Sequence, residues 1–143
     1  MAGYMTKSNG YLYEGEMVNG YSAAVPNGIV MVLGTGANAG KLVAPASADT
    51  SSKFLCKEVT TLYDGTVAYR FIVNALAANY YFVEQNFEKD DTAEYDGAAL
   101  TTAVGEKLRA HPLQPGDEFI SSCVTGTIAA GTAYGVKTDC TIG

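Results

Sequence analysis

The chain has 143 residues, a formal net charge of -6 and 48% hydrophobic residues, which is enough apolar material for the core of one domain. Basic residues are outnumbered by acidic ones, which argues against a surface that follows nucleic-acid phosphates. The 16 glycines and 10 tyrosines favour strands and turns over long helices. We therefore expect an all-β or mainly β single domain, a small sandwich or barrel.

Residues 1–24 are rich in Gly, Asn and Tyr and predict an extended N-terminal arm, with the β-rich domain following over residues 25–143. They contain no basic region followed by an apolar run, so the sequence predicts no secretion signal and we expect synthesis in the cytoplasm. The longest strongly apolar stretch, residues 28–33, is far shorter than the roughly 20 residues that a membrane helix requires. A membrane is therefore not an expected partner.

Aromatic residues make the predicted arm a candidate docking strip, because Tyr offers a large contact area at a small entropic cost. The alternative is that the arm folds back as an edge strand over its own core. On the first interpretation the candidate partner-contact residues are Tyr4, Tyr11, Leu12, Tyr13 and Tyr21.

A short strand, a glycine-rich loop and a second strand are predicted after the arm. The first strand is the apolar run at residues 29–33, and the second is KLV at residues 41–43, closed by Pro45. The loop sequence GTGANA at residues 34–39 matches the dinucleotide fingerprint G-x-G-x-x-G/A. That fingerprint requires a following helix, and the segment before Pro45 is too short for one, so we predict no bound cofactor.

The clearest hairpin signal is Asp64-Gly65, which separates a predicted strand at residues 54–63 from another at residues 66–73. Residues 46–52, small and polar, predict the loop before it. A further strand is predicted at residues 80–87. A helix over residues 71–87 is the competing interpretation, but aromatic and β-branched residues at the ends of that segment favour strands.

Residues that could support chemistry are few. The acidic stretch at residues 88–97 carries five carboxylates without the ligand spacing of a calcium loop, so we predict a solvated loop. His111 is the only imidazole, and its neighbour Pro112 indicates a loop residue. The sequence therefore predicts no catalytic residue, no metal site and no enzyme.

Near the C-terminus, Gly116-Asp117 predicts a turn, residues 118–124 a strand, and residues 127–142 a last hairpin around Ala130-Gly131. The three cysteines are widely spaced and odd in number, which favours free thiols. A bridge between Cys123 and Cys140 on neighbouring strands stays open as an alternative.

Several segments resemble the small decoration, or cement, proteins of tailed-bacteriophage capsids. They are VPNG at residues 25–28, KLV at residues 41–43 after a Gly-rich loop, VGEKLRA at residues 104–110 and LQPGDEF at residues 113–119. The resemblance implies a non-enzymatic virion protein, made in the host cytoplasm, that binds the outer surface of an assembled head. It also implies contact with the major capsid protein, as a monomer or a homotrimer.

Two other functions stay open from the sequence. One is a β-sandwich module that binds a receptor or carbohydrate, for which the absence of Trp is unfavourable and glycan binding would be decisive. The other is a tail or tube component, which would form rings or tubes by itself.

Overall fold

The computed structural model describes residues 3–8, 15–62, 65–84 and 101–143, and within them the regular structure is twelve strands and one three-residue 3-10 helix, Gly36–Asn38. The mainly β fold expected from the composition is confirmed. In chain order the strands are β1 (Gly3–Lys7), β2 (Gly15–Asn19), β3 (Val25–Pro26), β4 (Val30–Leu33), β5 (Lys41–Val43), β6 (Asp49–Thr61), β7 (Val67–Ala75), β8 (Tyr80–Val83), β9 (Thr101–Thr102), β10 (Lys107–Pro112), β11 (Glu118–Ser121) and β12 (Ala133–Val136).

These strands form a five-stranded sheet, a closed barrel and a small pair. The sheet has the order β1-β11-β7-β6-β12, and all its pairs are antiparallel. The barrel has the order β10-β2-β5-β4-β8 and closes where β8 pairs with β10. Its β2 and β5 run parallel, while β3 and β9 form the separate antiparallel pair. No helix in the described ranges is long and apolar enough to cross a membrane.

Strands β4 and β8 bury both of their faces. Val30 and Phe82 belong to one hydrophobic cluster, whereas their neighbours Met31 and Val83 belong to a second cluster among the barrel strands. Successive side chains of a strand point to opposite faces, so each strand contributes to both clusters. This explains why residues 29–33 read as a continuous apolar run and not as an alternating one.

Aromatic rings join the sheet to the barrel around Phe119 of β11. Its ring centroid lies 4.5 Å from that of Phe82, 5.6 Å from Phe71 and 6.0 Å from Phe54. All four side chains are fully buried. Such ring pairs contribute about 0.5–1.5 kcal/mol each beyond the burial of their area, so this cluster fixes the sheet against the barrel.

Two segments of the predicted N-terminal arm, residues 3–7 and 15–19, are strands of these sheets, and β1 is an edge strand, as the alternative interpretation of the arm expects. Strand β1 pairs with β11, and β2 is a barrel strand. Gly3 is buried, and a Cβ there would lie 2.6 Å from the carbonyl oxygen of Ile120 and 2.7 Å from Cα of Gly28. A glycine at this position thus lets β1 approach its neighbours closely. In the sequence, the same glycine suggests a turn and gives no sign of this packing.

The predicted hairpin is confirmed, since β6 and β7 pair along residues 53–61 and 67–75. The amide of Leu62 donates to the carbonyl of Thr66, and Gly65 has a φ of +89, a left-handed conformation that favours glycine. Strand β6 starts at Asp49, inside the predicted loop. The competing helix over residues 71–87 is wrong, because β7 continues to Ala75 and β8 begins at Tyr80.

The predicted arrangement of a strand, a loop and a second strand over residues 29–43 is confirmed. Strand β5 pairs antiparallel with β4, and the regular structure of the glycine-rich loop is limited to the 3-10 turn. The predicted C-terminal hairpin is wrong. Strand β12 pairs with β6, and the amide of Gly131 donates to the carbonyl of Cys56. This pairing joins residues about 80 positions apart, which local turn signals do not reveal.

Candidate protein-contact surface

The β6–β7 hairpin is longer than the strands on either side of it. On one side, β11 pairs with β7 no further than Tyr69. On the other side, β12 pairs with β6 no further than Leu55, and Cys56 makes the last backbone hydrogen bonds. Among the described residues, 57–61 therefore have only β7 as a neighbouring strand, and residues 67–68 have only β6. We call these two segments the distal ribbon.

Two valines of the distal ribbon are exposed. Val59 and Val67 each expose 54% of their surface, although Val59 lies opposite Tyr69 and Val67 opposite Thr61 in the ladder. Tyr69 is two residues from the buried Phe71, so all of these side chains share the face that forms the core nearer the barrel. The core-facing surface of the sheet thus continues past the core into solvent. Burying one valine fully is worth about 1.5–3 kcal/mol, so each exposed half offers a partner roughly 1 kcal/mol.

Ion pairs neutralise the charges at the base of the distal ribbon. Arg70 Nε lies 2.8 Å from Glu58 Oε1, and Lys57 Nζ lies 3.5 Å from Glu118 Oε1. Exposed pairs of this kind contribute about 0–1 kcal/mol to stability, so their main effect is electrostatic. They leave a locally balanced surface on a molecule of net charge -6.

The structure places two of the five candidate contact residues from the sequence. Tyr4 lies on β1 opposite Ile120 and exposes 44% of its surface. Tyr21 follows β2, packs against the barrel cluster, and its amide donates to Asn19 Oδ1 at 2.9 Å. Tyr11, Leu12 and Tyr13 lie outside the described residues. Tyr4 therefore lies in the five-stranded sheet and Tyr21 in the bend after a barrel strand, and a docking strip made of all five residues stays a prediction.

Sequence reasoning did not single out Val59 and Val67. The available signal was their position beside the Asp64-Gly65 turn, because residues near the tip of a long hairpin lie far from its base. Their exposure depends on where β11 and β12 stop, which only the folded chain shows.

A carboxylate fastens the start of β6. Asp49 Oδ1 accepts hydrogen bonds from the amides of Ser51 and Ser52, and Oδ2 accepts the hydroxyls of Ser52 at 2.5 Å and Tyr80 at 2.7 Å. Burial, the largest single influence, raises the pKa of Asp49, but these hydrogen bonds together outweigh it and lower the pKa to about 2. Burial and the Asp49 hydrogen bond raise the pKa of Tyr80. Both oxygens of Asp49 thus accept hydrogen bonds and hold the start of β6 against Tyr80 of β8. We call Asp49 and these three partners, Ser51, Ser52 and Tyr80, the clip.

A shallow cleft of about 390 Å³ lies beside this clip. Its wall carries the hydroxyl groups of Ser47, Thr50 and Ser51 between small apolar side chains. Hydroxyl-rich surfaces of this kind can exchange hydrogen bonds with polar ligands such as sugars.

His111 lies in strand β10 and is buried, which corrects its prediction as a loop residue. Its Nε2 lies 3.6 Å from Glu84 Oε1, and Glu84 Oε2 accepts the amide of Met5 at 2.5 Å. Its Nδ1 has no hydrogen-bond partner within the described ranges. The hydrogen bond from Met5 to Glu84 ties β1 to the residue that follows barrel strand β8. Pro112 is the last residue of β10 and not a loop residue.

The three cysteines are free and buried, which confirms the prediction of free thiols over a Cys123–Cys140 bridge. Burial raises the pKa of Cys123 to about 11 and that of Cys140 to about 12. Within the described ranges, no group of three or more His, Cys, Asp or Glu side chains is placed to hold a metal ion. The acidic stretch at residues 88–97 lies outside the described residues.

Comparison of this chain with protein-family models, with curated proteins and with solved structures gave no significant match.

Proposed function

We propose that this chain is a non-enzymatic structural protein of a tailed-phage virion, which binds the outer surface of the assembled head and stabilises contacts between capsid subunits. The segments that resemble decoration proteins support a role of that kind. The exposed valines of the distal ribbon are the observation that supports a contact role. Val59 and Val67 lie outside a core that is already closed, so they add little to the fold and are available to a partner.

A small contact surface suits a protein that binds in many copies. Each copy adds modest contact energy, and a ligand that binds only the assembled state stabilises that state by mass action. The net charge of -6 would keep the unassembled protein soluble. The major capsid protein is the expected partner, contacted by a monomer or a homotrimer.

The experiment is co-sedimentation of purified protein with expanded, undecorated phage heads, in parallel with unassembled capsid subunits. We expect saturable binding to the heads alone, and decorated heads should release their DNA at a higher temperature than bare ones. Absence of binding to heads, or equal binding to free subunits, would contradict the proposal.

The cleft beside Asp49 favours one second candidate, a receptor- or carbohydrate-binding module. Its hydroxyl groups would hydrogen-bond a saccharide, and a glycan array tests this directly. Binding of one glycan class, weakened by Thr50→Val at the cleft wall, would favour this module over the capsid protein.

A further inference from the structure

The β6 edge of the distal ribbon has no neighbouring strand among the described residues, and we call it the open edge. The amide of Leu62 donates to Thr66 across the hairpin, so the strand alternation turns the N–H and C=O groups of Thr61, and then of Val59, to the opposite edge of β6. On that same edge, nearer the barrel, Cys56 bonds Thr132 and Gly131. The side chains of residues 57–59 and 61 are exposed, and no other described segment runs beside them. Val59 and Thr61 thus offer two donors and two acceptors to solvent.

The outer edges of the same sheet are covered in a different way. At one side of the sheet, Glu84 accepts the amide of Met5 on β1. At the other side, Gly135 of β12 and Gly143 exchange backbone hydrogen bonds of 3.3 and 3.2 Å. Proteins generally blunt or cover exposed strand edges because such edges pair with other chains. The open edge beside Val59 stands out against this protection.

We propose that the open edge of β6 docks by strand addition, taking an extended segment of a capsid subunit as an additional strand. Val59 and Thr61 would supply four backbone hydrogen bonds to that segment, and the exposed valine side chains would contact its apolar residues. This inference rests on the proposed function and names the contact through which the head is bound.

The size of the edge argues for a segment of an assembled shell and against a second copy in solution. Residues 57–61 span about 17 Å, whereas a stable soluble pair usually buries at least about 1,200 Å². A strand this short cannot reach that area, but many such contacts on one shell act together. Because Lys57 and Glu58 are already paired within the chain, the edge suits an apolar segment without net charge.

The test is the affinity of variants for expanded, undecorated heads. Val59→Pro removes the outward N–H and leaves the β6–β7 ladder intact, because that N–H does not face β7 and proline is tolerated on open edges. We expect at least about tenfold weaker binding. Val59→Thr keeps the N–H and should bind at least about threefold more tightly than Val59→Pro.

Val104→Pro is the matched control. Val104 is also an exposed valine, and it precedes Gly105, whose φ is +82, in a turn closed by the Glu106 amide on Ala103. Proline suits this second position of a type II turn. We expect Val104→Pro to bind heads within about twofold of the wild type.

Hydrogen exchange of the wild-type protein provides a second test that does not depend on a variant. Binding to heads should slow hydrogen exchange of the Val59 and Thr61 amides at least about tenfold. If the wild type binds heads while these amides stay unprotected, or while folded Val59→Pro binds as tightly, strand addition is overturned and the proposed function stands. If the wild type does not bind heads, both are overturned.

Discussion

The two halves of strand β6 show what neighbouring strands contribute. In the half formed by residues 49–56, positions 53–56 pair along β7, β12 pairs with Asp49, Phe54 and Leu55 on the other side, and Phe54 and Cys56 are fully buried. Residues 57–61 continue the same strand, β7 is their one neighbouring strand in the part of the chain that the structure describes, and Val59 is more than half exposed. A register shift in the pairing with β7 separates the two halves, between Cys56 and Glu58, and beyond it Val59 lies opposite Tyr69. The difference in burial follows from where the neighbouring strands β11 and β12 stop.

The covered half is also fastened by polar contacts. The hydroxyl of Ser52 donates to Asp49 and accepts the amide of Ala77, which links the start of β6 to the end of β7. A Cβ at Gly135 of β12 would overlap the carbonyl oxygen of Asp49, so a glycine allows β12 to lie close. Among the described residues, the polar side-chain contacts of the distal half are the ion pairs at its base and a hydrogen bond from Cys56 Sγ to the carbonyl of Glu58.

The largest effect is expected in the covered half. Phe54→Ala removes a fully buried ring whose centroid lies 6.3 Å from that of Tyr80, and should lower the free energy of unfolding by about 3–5 kcal/mol. Urea denaturation followed by tyrosine fluorescence measures this. A loss below about 1 kcal/mol would show that the covered half does not hold the core.

A smaller, pH-dependent effect is expected at the clip. Asp49→Asn weakens hydrogen bonds to a charged group and should cost about 1–3 kcal/mol near neutral pH. The folded state lowers the pKa of Asp49 from 3.8 to about 2 and so favours the charged form. Its contribution is therefore present above the unfolded value of 3.8 and is lost as the pH falls through about 2.

Urea titrations of the wild type and Asp49→Asn between about pH 5 and about pH 2 check this sign. The difference between their unfolding free energies should shrink as the pH falls. A difference that stays constant or grows would mean that the Asp49 carboxylate is not stabilised in the folded state.

The smallest effect on stability is expected in the distal half. Val59→Ala removes a side chain that is already in solvent, so the free energy of unfolding should change by less than about 0.5 kcal/mol. Differential scanning calorimetry of the wild type and Val59→Ala measures this difference. A loss comparable with that of Phe54→Ala would place Val59 in the core and remove the argument for a contact surface.

Local signals predicted some elements well. The β6–β7 hairpin followed from Asp64-Gly65 between two β-prone segments, and β4 and β5 followed from an apolar run, a Gly-rich loop and Pro45. Each of these features depends on turn residues that lie next to the strands they join, where turn chemistry acts.

These local signals could not predict which strands pair across long distances in the sequence. The segment around Gly131 resembles a hairpin turn, yet β12 pairs with β6, and His111 beside Pro112 resembles a loop but lies in a barrel strand. The N-terminal strands were concealed by a Gly- and Tyr-rich composition, because Gly3 is required by close packing against Ile120 and Gly28 and not by a turn. The exposed valines were missed for the same reason, since burial depends on which strands lie alongside.

The sequence by itself determined the mainly β class, the free thiols and the central hairpin, because composition and turn residues act through local geometry. Only the tertiary structure decided that the N-terminal strand joins the sheet, that a barrel closes beside it, and that β6 is covered at one end and open at the other. Those outcomes depend on which distant segments reach each strand edge, and a strand's own residues offer the same backbone groups to any neighbour.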